Sequence, residues 1–498
     1  MRPLTLLLII SLIVKSHGQD FQFKRIDLTE NQQGSRGVSI ADLDKNGLLD
    51  IVVANQVDSI QFFGNSILFN YEKGFKEITI ANDNINAWSE SVHTVDVDND
   101  NDFDIFFTTQ FGVPNLLYIN DGSGKFSQGL AGDLTEDKTN SPGACWCDYD
   151  LDGDLDVFIV NRDGEDDNLY TNNGKGVFVK NSAGPWIGNK GDGRSCSWGD
   201  LNGDGKPDLY VANFVVKEDG QVKGKHRNFL YLNSKDGKFI EEKKGILVEE
   251  LNASYGVFLV DYDYDRDLDI YVTNVSVADE NTFYENSGTG IFKKLTDSEI
   301  AYEVHRPSKG QTWGDFNTDG FLDVYVANGT EGYPEIQNFF FSGKSDRSFN
   351  RIYNTLPAID DHISAGTASG DLDNDGDLDL YVCNWGGDAE ANDYYINQNQ
   401  TNHWIKFQLK GISSNSYGIG SWVTLSLNDG TVQTRYFSRE TGYGSENAPE
   451  IHFGIPASAK INTIEVEWPS GVKQSGKNLE ANFAYEVIEG KEIKRIEK

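Results

Sequence analysis

A nine-residue pattern, Asp-x-(Asp/Asn)-x-(Asp/Asn)-x-x-x-Asp, recurs seven times in this chain and limits what it can fold into more than any other feature. The copies read DLDKNGLLD from Asp42, DVDNDNDFD from Asp96, DYDLDGDLD from Asp148, DLNGDGKPD from Asp200, DYDYDRDLD from Asp261, DFNTDGFLD from Asp315 and DLDNDGDLD from Asp371. Their starts lie 54, 52, 52, 61, 54 and 56 residues apart. A near-constant period of this length marks one supersecondary unit used over and over, so the chain is an array and not a set of unrelated domains.

The spacing inside each copy suits a calcium ion, which takes six to eight oxygens. A tight loop supplies side-chain oxygens from positions 1, 3 and 5, a backbone carbonyl from position 7 and a carboxylate from position 9. The predicted ligands are Asp42, Asp44, Asn46 and Asp50, then Asp96, Asp98, Asp100 and Asp104, then Asp148, Asp150, Asp152 and Asp156. The fourth and fifth copies offer Asp200, Asn202, Asp204 and Asp208, and Asp261, Asp263, Asp265 and Asp269. The last two offer Asp315, Asn317, Asp319 and Asp323, and Asp371, Asp373, Asp375 and Asp379. Position 6 needs a positive φ and is Gly in five copies; Asn101 and Arg266 stand there in the second and fifth, and Arg266 also brings a positive charge. An EF-hand would place an acidic ligand at position 12 and lead into a helix. Here position 12 is apolar, as at Val53, Ile159, Val211 and Val326, and each loop runs into a strand such as IVVAN, VFIVN or VYVAN.

The rest of the period supplies the other strands of the unit. A segment of small residues precedes each loop, as in SRGVSIAD, GRSCSWGD and SAGTASGD. An aromatic strand, a Gly turn and a strand opening with Phe follow it, as in NLLYINDGSGKF and NFLYLNSKDGKF. Four short strands per period of about 50 residues describe a propeller blade, and seven of them close a ring with no unprotected edge. The small-residue strands are expected to line the crowded central channel, and part of Asp20 to Ile40 to complete the last blade. The predicted fold class is all-β: a seven-bladed β-propeller followed by a small β-sandwich-like domain.

The loop and the strand after it resemble the FG-GAP or VCBS-type repeats of integrin α-chain propellers and of many secreted bacterial proteins, over roughly Gln19 to Gln400. The Gly-Ala-Pro ending is replaced by Ala-Asn, Thr-Asn or Val-Asn, which places the likeness on the VCBS side. Beyond Gln400 the loops stop. NHWIKFQLKG, GIGSWVTL, GYGSENAPEIHFGI and IEVEWPSGV resemble the ASPIC/UnbV domain that follows such repeats in the secreted cartilage acidic protein family, whose EGF-like module has no counterpart in this sequence. The expected division is therefore 1–18 as a signal peptide, 19–400 as the propeller and 401–498 as the second β-domain.

The export signal rests on Arg2, the apolar run Leu4 to Val14 and the small residues Ser16 and Gly18; the run is too short to span a bilayer. A formal charge of −35 disfavours nucleic acid and anionic membranes and favours cations, so Ca²⁺ is the expected cofactor and an extracellular protein or glycan the expected partner. The four cysteines are too scattered to read as a disulfide framework, and Cys145 and Cys147 flanking Trp146 read as small buried thiols.

Two functions stay open at this level. One is a secreted, calcium-stabilised binding or adhesion scaffold; the other is a propeller-based polysaccharide lyase or hydrolase. For the second, His93 on a channel strand and His305-Arg306 before a blade are the candidate site-lining residues, and no catalytic motif joins them. His452 reads as structural. Asn252, Asn274, Asn328 and Asn399 match the glycosylation sequon, although the repeat itself accounts for Asn274 and Asn328.

Overall fold

The computed structural model describes residues 21–26, 28, 34–56, 64–80, 87–218, 221–301, 306–330, 336–386, 390–399 and 401–497. The 1–18 segment and His305 lie outside them. Among the described residues, seven four-stranded antiparallel sheets each carry one Asp loop between their first two strands. The first blade runs Ser35–Ala41, Asp50–Asn55, Ser66–Tyr71 and Gly74–Thr79. In the seventh, Ser364–Gly370, Asp379–Asn384 and Asp393–Asn397 are completed by Phe23–Ile26 from the chain's beginning, with Phe23 opposite Asn397. The N-terminal segment thus closes the ring, which is the seven-bladed β-propeller expected from the repeat.

Adjacent blades bury apolar residues from facing sheets, so the core is a series of inter-blade layers. Between the first two blades, Val52, Ile67, Ile105 and Phe107 meet with almost no exposure. The channel-side strands pack directly on one another around the ring. A Cβ added at Gly310 would lie 2.3 Å from the Ala365 carbonyl, and one at Gly366 would lie 2.4 Å from the Arg36 carbonyl. Crowding at the channel therefore explains the small-residue strands.

The 61-residue interval between the fourth and fifth loops holds an insertion, the hairpin Val215–Glu218 and Gln221–Arg227, which pairs with Leu251–Asn252. Two further four-stranded sheets follow the ring. One orders Ile451–Ile455, His403–Lys410, Phe483–Ile488 and Ile493–Arg495; the other orders Val432–Tyr436, Trp422–Leu427, Ile461–Glu467 and Lys473–Lys477. They enclose a core of their own around Phe407, Leu425, Phe453, Ile464 and Trp468.

Residues 438–448, between Val432–Tyr436 and Ile451–Ile455, leave this second unit and enter the propeller channel. The segment forms bridges Ser39 to Glu446 and Val257 to Gly442, and the Gly444 carbonyl accepts from Val92 N at 3.1 Å. Gln311 N donates to the Thr441 carbonyl at 3.1 Å, and Thr441 Oγ1 donates to the Thr367 carbonyl at 2.7 Å. The GYGSENAPE motif, read from sequence only as part of the second domain, is a plug that pairs with the channel strands.

Cys145 and Cys196, on neighbouring channel strands of the third and fourth blades, form a disulfide with Cα atoms 5.8 Å apart. This replaces the buried-thiol reading for Cys145: the two are 51 residues apart in sequence, and the packing of consecutive blades brings them together. Cys147 and Cys383 are buried free thiols. Among the described residues no helix is long and apolar enough to cross a membrane.

Candidate metal centres

Each loop folds around its first and ninth residues. In the first copy Asp42 accepts from Asn46 N at 3.1 Å and Gly47 N at 2.9 Å, while Asp50 accepts from Leu43 N at 2.8 Å and Asn70 N at 2.7 Å. The position-1 carboxylates of the second to sixth loops hold the same two backbone N–H groups. One oxygen of each ninth residue likewise fixes the third strand of its blade, from Asp104 on Asn120 N to Asp379 on Asn397 N. The loops are therefore held by their prospective ligands before any ion is considered.

All seven sixth positions adopt positive φ, including Asn101 at 66° and Arg266 at 72°. So do all seven fourth positions, among them Lys45, Leu151, Tyr264 and Thr318. In the sequence this second position is marked only by Gly203 and more weakly by Asn99 and Asn374, and the other four copies give no sign of it. The Arg266 guanidinium turns away from its loop to Glu467 at 2.8 Å and lies over Trp422.

Carboxylate oxygens converge in these turns. One oxygen from each of Asp42, Asp44 and Asp50 lies within 4.8 Å of the others, as in Asp96, Asp98 and Asp104, in Asp148, Asp150 and Asp156, and in Asp261, Asp263 and Asp265. Burial, aided by the neighbouring carboxylates, pushes Asp50 and Asp208 up to about 7, Asp104 to about 8, and Asp156 and Asp269 to about 9. Asp98 Oδ1, Asp156 Oδ2, Asp263 Oδ1 and Asp371 Oδ1 are buried without a hydrogen-bond donor among the described residues. Buried, crowded, undonated carboxylate oxygens fit a hard divalent cation. Asn46 at position 5 of the first loop and Asn202 and Asn317 at position 3 of the fourth and sixth lower the charge of those three sites.

The second unit sits over this loop face. Lys406 Nζ reaches Asp371 Oδ2 at 2.7 Å and Glu450 at 2.9 Å, and Gly454 N donates to Asp315 Oδ2 at 3.1 Å. Thr434 Oγ1 donates to Asp261, and Tyr417 stacks on Phe103 with centroids 4.1 Å apart. His452, kept neutral by burial with its pKa lowered to about 4, donates Nε2–H to the Gly376 carbonyl at 3.0 Å. Its structural reading agrees with this position.

Of the candidate site-lining residues, His305 lies outside the described residues. His93 does lie on a channel strand, but its ring is buried and bonded to Glu446 at 2.9 Å and Ser91 at 3.1 Å. Asn274 and Asn328 are fully buried and bonded to the chain, so they are unavailable for glycosylation, as is the buried Asn399.

The FG-GAP-like repeat family pattern matches residues 42–107, 96–159, 148–211, 261–326 and 315–382. These windows contain all seven loops and leave out the stretch with the inserted hairpin. The ASPIC and UnbV pattern matches residues 411–494. Cartilage acidic protein 1 of Xenopus tropicalis is 23% identical over 467 residues, covering 76% of this chain and 70% of that protein. The Homo sapiens protein of that name is 22% identical over 487 residues, covering 80% and 71%. The crystal structure of AofleA from Arthrobotrys oligospora aligns with 67% of this chain and 90% of its own at 11% identity and a TM-score of 0.36.

Proposed function

The chain belongs to the FG-GAP-like repeat family, and from that premise we propose that it is an exported, calcium-stapled propeller that serves as an extracellular binding scaffold for a protein or glycan. The observation that carries this reading is the set of buried carboxylate oxygens that converge in the blade loops without donors. The ions would be held by positions 1, 3, 5 and 9 of each loop. Calcium would neutralise the carboxylates, support the two left-handed residues of each loop and fix the hairpin that joins the two inner strands.

Export is supported by the N-terminal charge and apolar run and by the Cys145–Cys196 disulfide, a bond that persists in oxidising compartments. The 19–400 and 401–498 units would act as one body, because the plug leaves neither complete without the other. Extracellular modules bind calcium with dissociation constants of about 0.1 to 1 mM. An ion at about 100 times its dissociation constant adds roughly 2.7 kcal/mol per site, so several sites together rival the stability of a whole domain.

Calorimetric titration of Ca²⁺ into chelator-treated protein, with thermal unfolding recorded in parallel, tests the reading. One site for each of the seven loops and a large rise in melting temperature are expected. No binding, with an unchanged melting temperature, would reduce the loops to turn formers.

A further inference from the structure

The channel mouth farthest from the Asp loops carries side chains that neither the propeller fold nor the calcium reading uses. The channel strands of the first, second, fourth, fifth, sixth and seventh blades each have a register shift after their first residue. A bulge of this kind re-aims the side chain it frees. The residue just after the first is Arg36, Glu90, Arg194, Tyr255, Lys309 or Ala365, whereas the residue before it is Ser or Gly in all six strands. A repeat that holds its neighbours small yet varies this position is not using it for packing alone.

These side chains form a continuous band around the mouth. The Trp385 ring lies between Arg36, at 3.7 Å, and Lys309, at 3.8 Å. Arg194 lies over Phe214 and Tyr255, and Trp88 donates Nε1–H to Glu90 at 3.0 Å while its ring meets the exposed Phe111. Arg162 donates to Gln110 at 2.8 Å and pairs with Asp163. The inserted hairpin adds Lys217, which bridges Asp163 of the third blade and Asp192 of the fourth. From below, Tyr443 at the tip of the plug donates to Glu90 and packs on Tyr255, so the mouth has a floor.

Arg36, Arg162, Arg194, Lys217 and Lys309 stand there against Glu90, Asp163 and Asp192 and the flanking Asp167 and Glu390, so five cations gather at one mouth of a chain whose formal charge is −35. Buried cations beside aromatic faces attract anions and offer flat apolar platforms at the same place. Peptide recognition by strand addition would need an open sheet edge, and the channel strands are already paired with their own blades and with the plug. We propose that this mouth binds an acidic carbohydrate, with sugar rings on the aromatic faces and the carboxylate or sulfate group held by the cations. This assignment rests on the scaffold reading above and gives it a site and a ligand class.

The test uses the full calcium-loaded chain, with tryptophan emission and calorimetry as readouts. The probes are oligogalacturonate, a heparin-derived oligosaccharide, a neutral maltooligosaccharide and poly-glutamate. Binding of at least one acidic oligosaccharide is expected, weakened by salt, with none for the neutral sugar; carboxylated and sulfated ligands are told apart by which probe binds. Arg162→Ala and Phe111→Ala, at partly exposed positions, and Trp385→Ala should each weaken it by about tenfold or more, at an unchanged calcium stoichiometry. Binding of neither acidic sugar, equal binding by Arg162→Ala and Phe111→Ala, or preference for poly-glutamate would overturn the proposal. If calcium still stabilises the chain in that event, only the glycan site fails; the scaffold reading falls with the calcium titration.

Discussion

Glu446 shows how much a single side chain can organise in this molecule. It lies in the plug, is almost fully buried, and pairs with Arg439 at 3.3 Å and with His93 at 2.9 Å while accepting from Thr94 N at 3.0 Å. Burial alone would raise its pKa, but Arg439, His93 and the Thr94 amide together hold it below the ordinary glutamate range. Because the folded pKa is depressed, the stabilisation is fully present above the unfolded value and is lost as pH falls through the folded one. Glu446→Ala leaves Arg439 buried without this partner, and breaking such a pair costs about 3 to 5 kcal/mol. The expected result is a clear loss of melting temperature at neutral pH, with the gap between parent and variant shrinking as pH falls from the ordinary glutamate range towards the depressed folded value. A constant gap across that range would show that Glu446 acts through packing and not through its charge.

At the scale of strands, the Asn that ends the third strand of most blades ties each blade to the previous one. Asn120 Nδ2 donates to the Phe103 carbonyl of its own loop at 3.1 Å and to the Leu43 carbonyl of the preceding loop at 2.9 Å. Asn70, Asn172, Asn286 and Asn397 repeat this hook, and Asn70 reaches back to Leu372 across the ring closure. The sixth blade has Gly343 instead, since a Cβ there would lie 2.2 Å from the Leu322 carbonyl. Asn120→Ala should destabilise the chain by about 1 to 3 kcal/mol in chemical unfolding, because it strips donors from two buried carbonyls. An effect near zero would mean that water replaces the amide. The recurring Asn was visible in NLLYIN, NLYTN and NFLYLN, yet its role was not, because its second acceptor comes from another repeat. Legibility followed the same divide throughout. The Asp loops, their strands and the crowded channel wall could be read because each lies within one period, as Asp42 to Asp50 does. The disulfide, the plug and the cationic mouth could not, since Cys145 and Cys196, Glu446 and His93, or Arg36 and Trp385 come from different repeats or units and meet only when those pack together.

For the molecule as a whole, the second β-unit covers the loop face and also fills the channel, so loops, ring and plug share one set of contacts. Lys406 on Asp371, Gly454 on Asp315 and Thr434 on Asp261 join the second unit to position 1 of three consecutive loops. A Cβ at Gly37 would lie 2.1 Å from the Gly444 carbonyl, which shows how closely the plug fits the channel wall. Two units linked only by a tether would unfold separately, whereas units that supply each other's buried partners unfold together. Heating the calcium-loaded protein should therefore give one transition, seen alike by tryptophan emission and by far-ultraviolet circular dichroism. Chelation should move that whole transition downward without splitting it, because loosening the loops loosens the surface on which the second unit rests. Two resolved transitions, only one of them sensitive to calcium, would show instead that the plug contributes little free energy and that the propeller carries its stability alone.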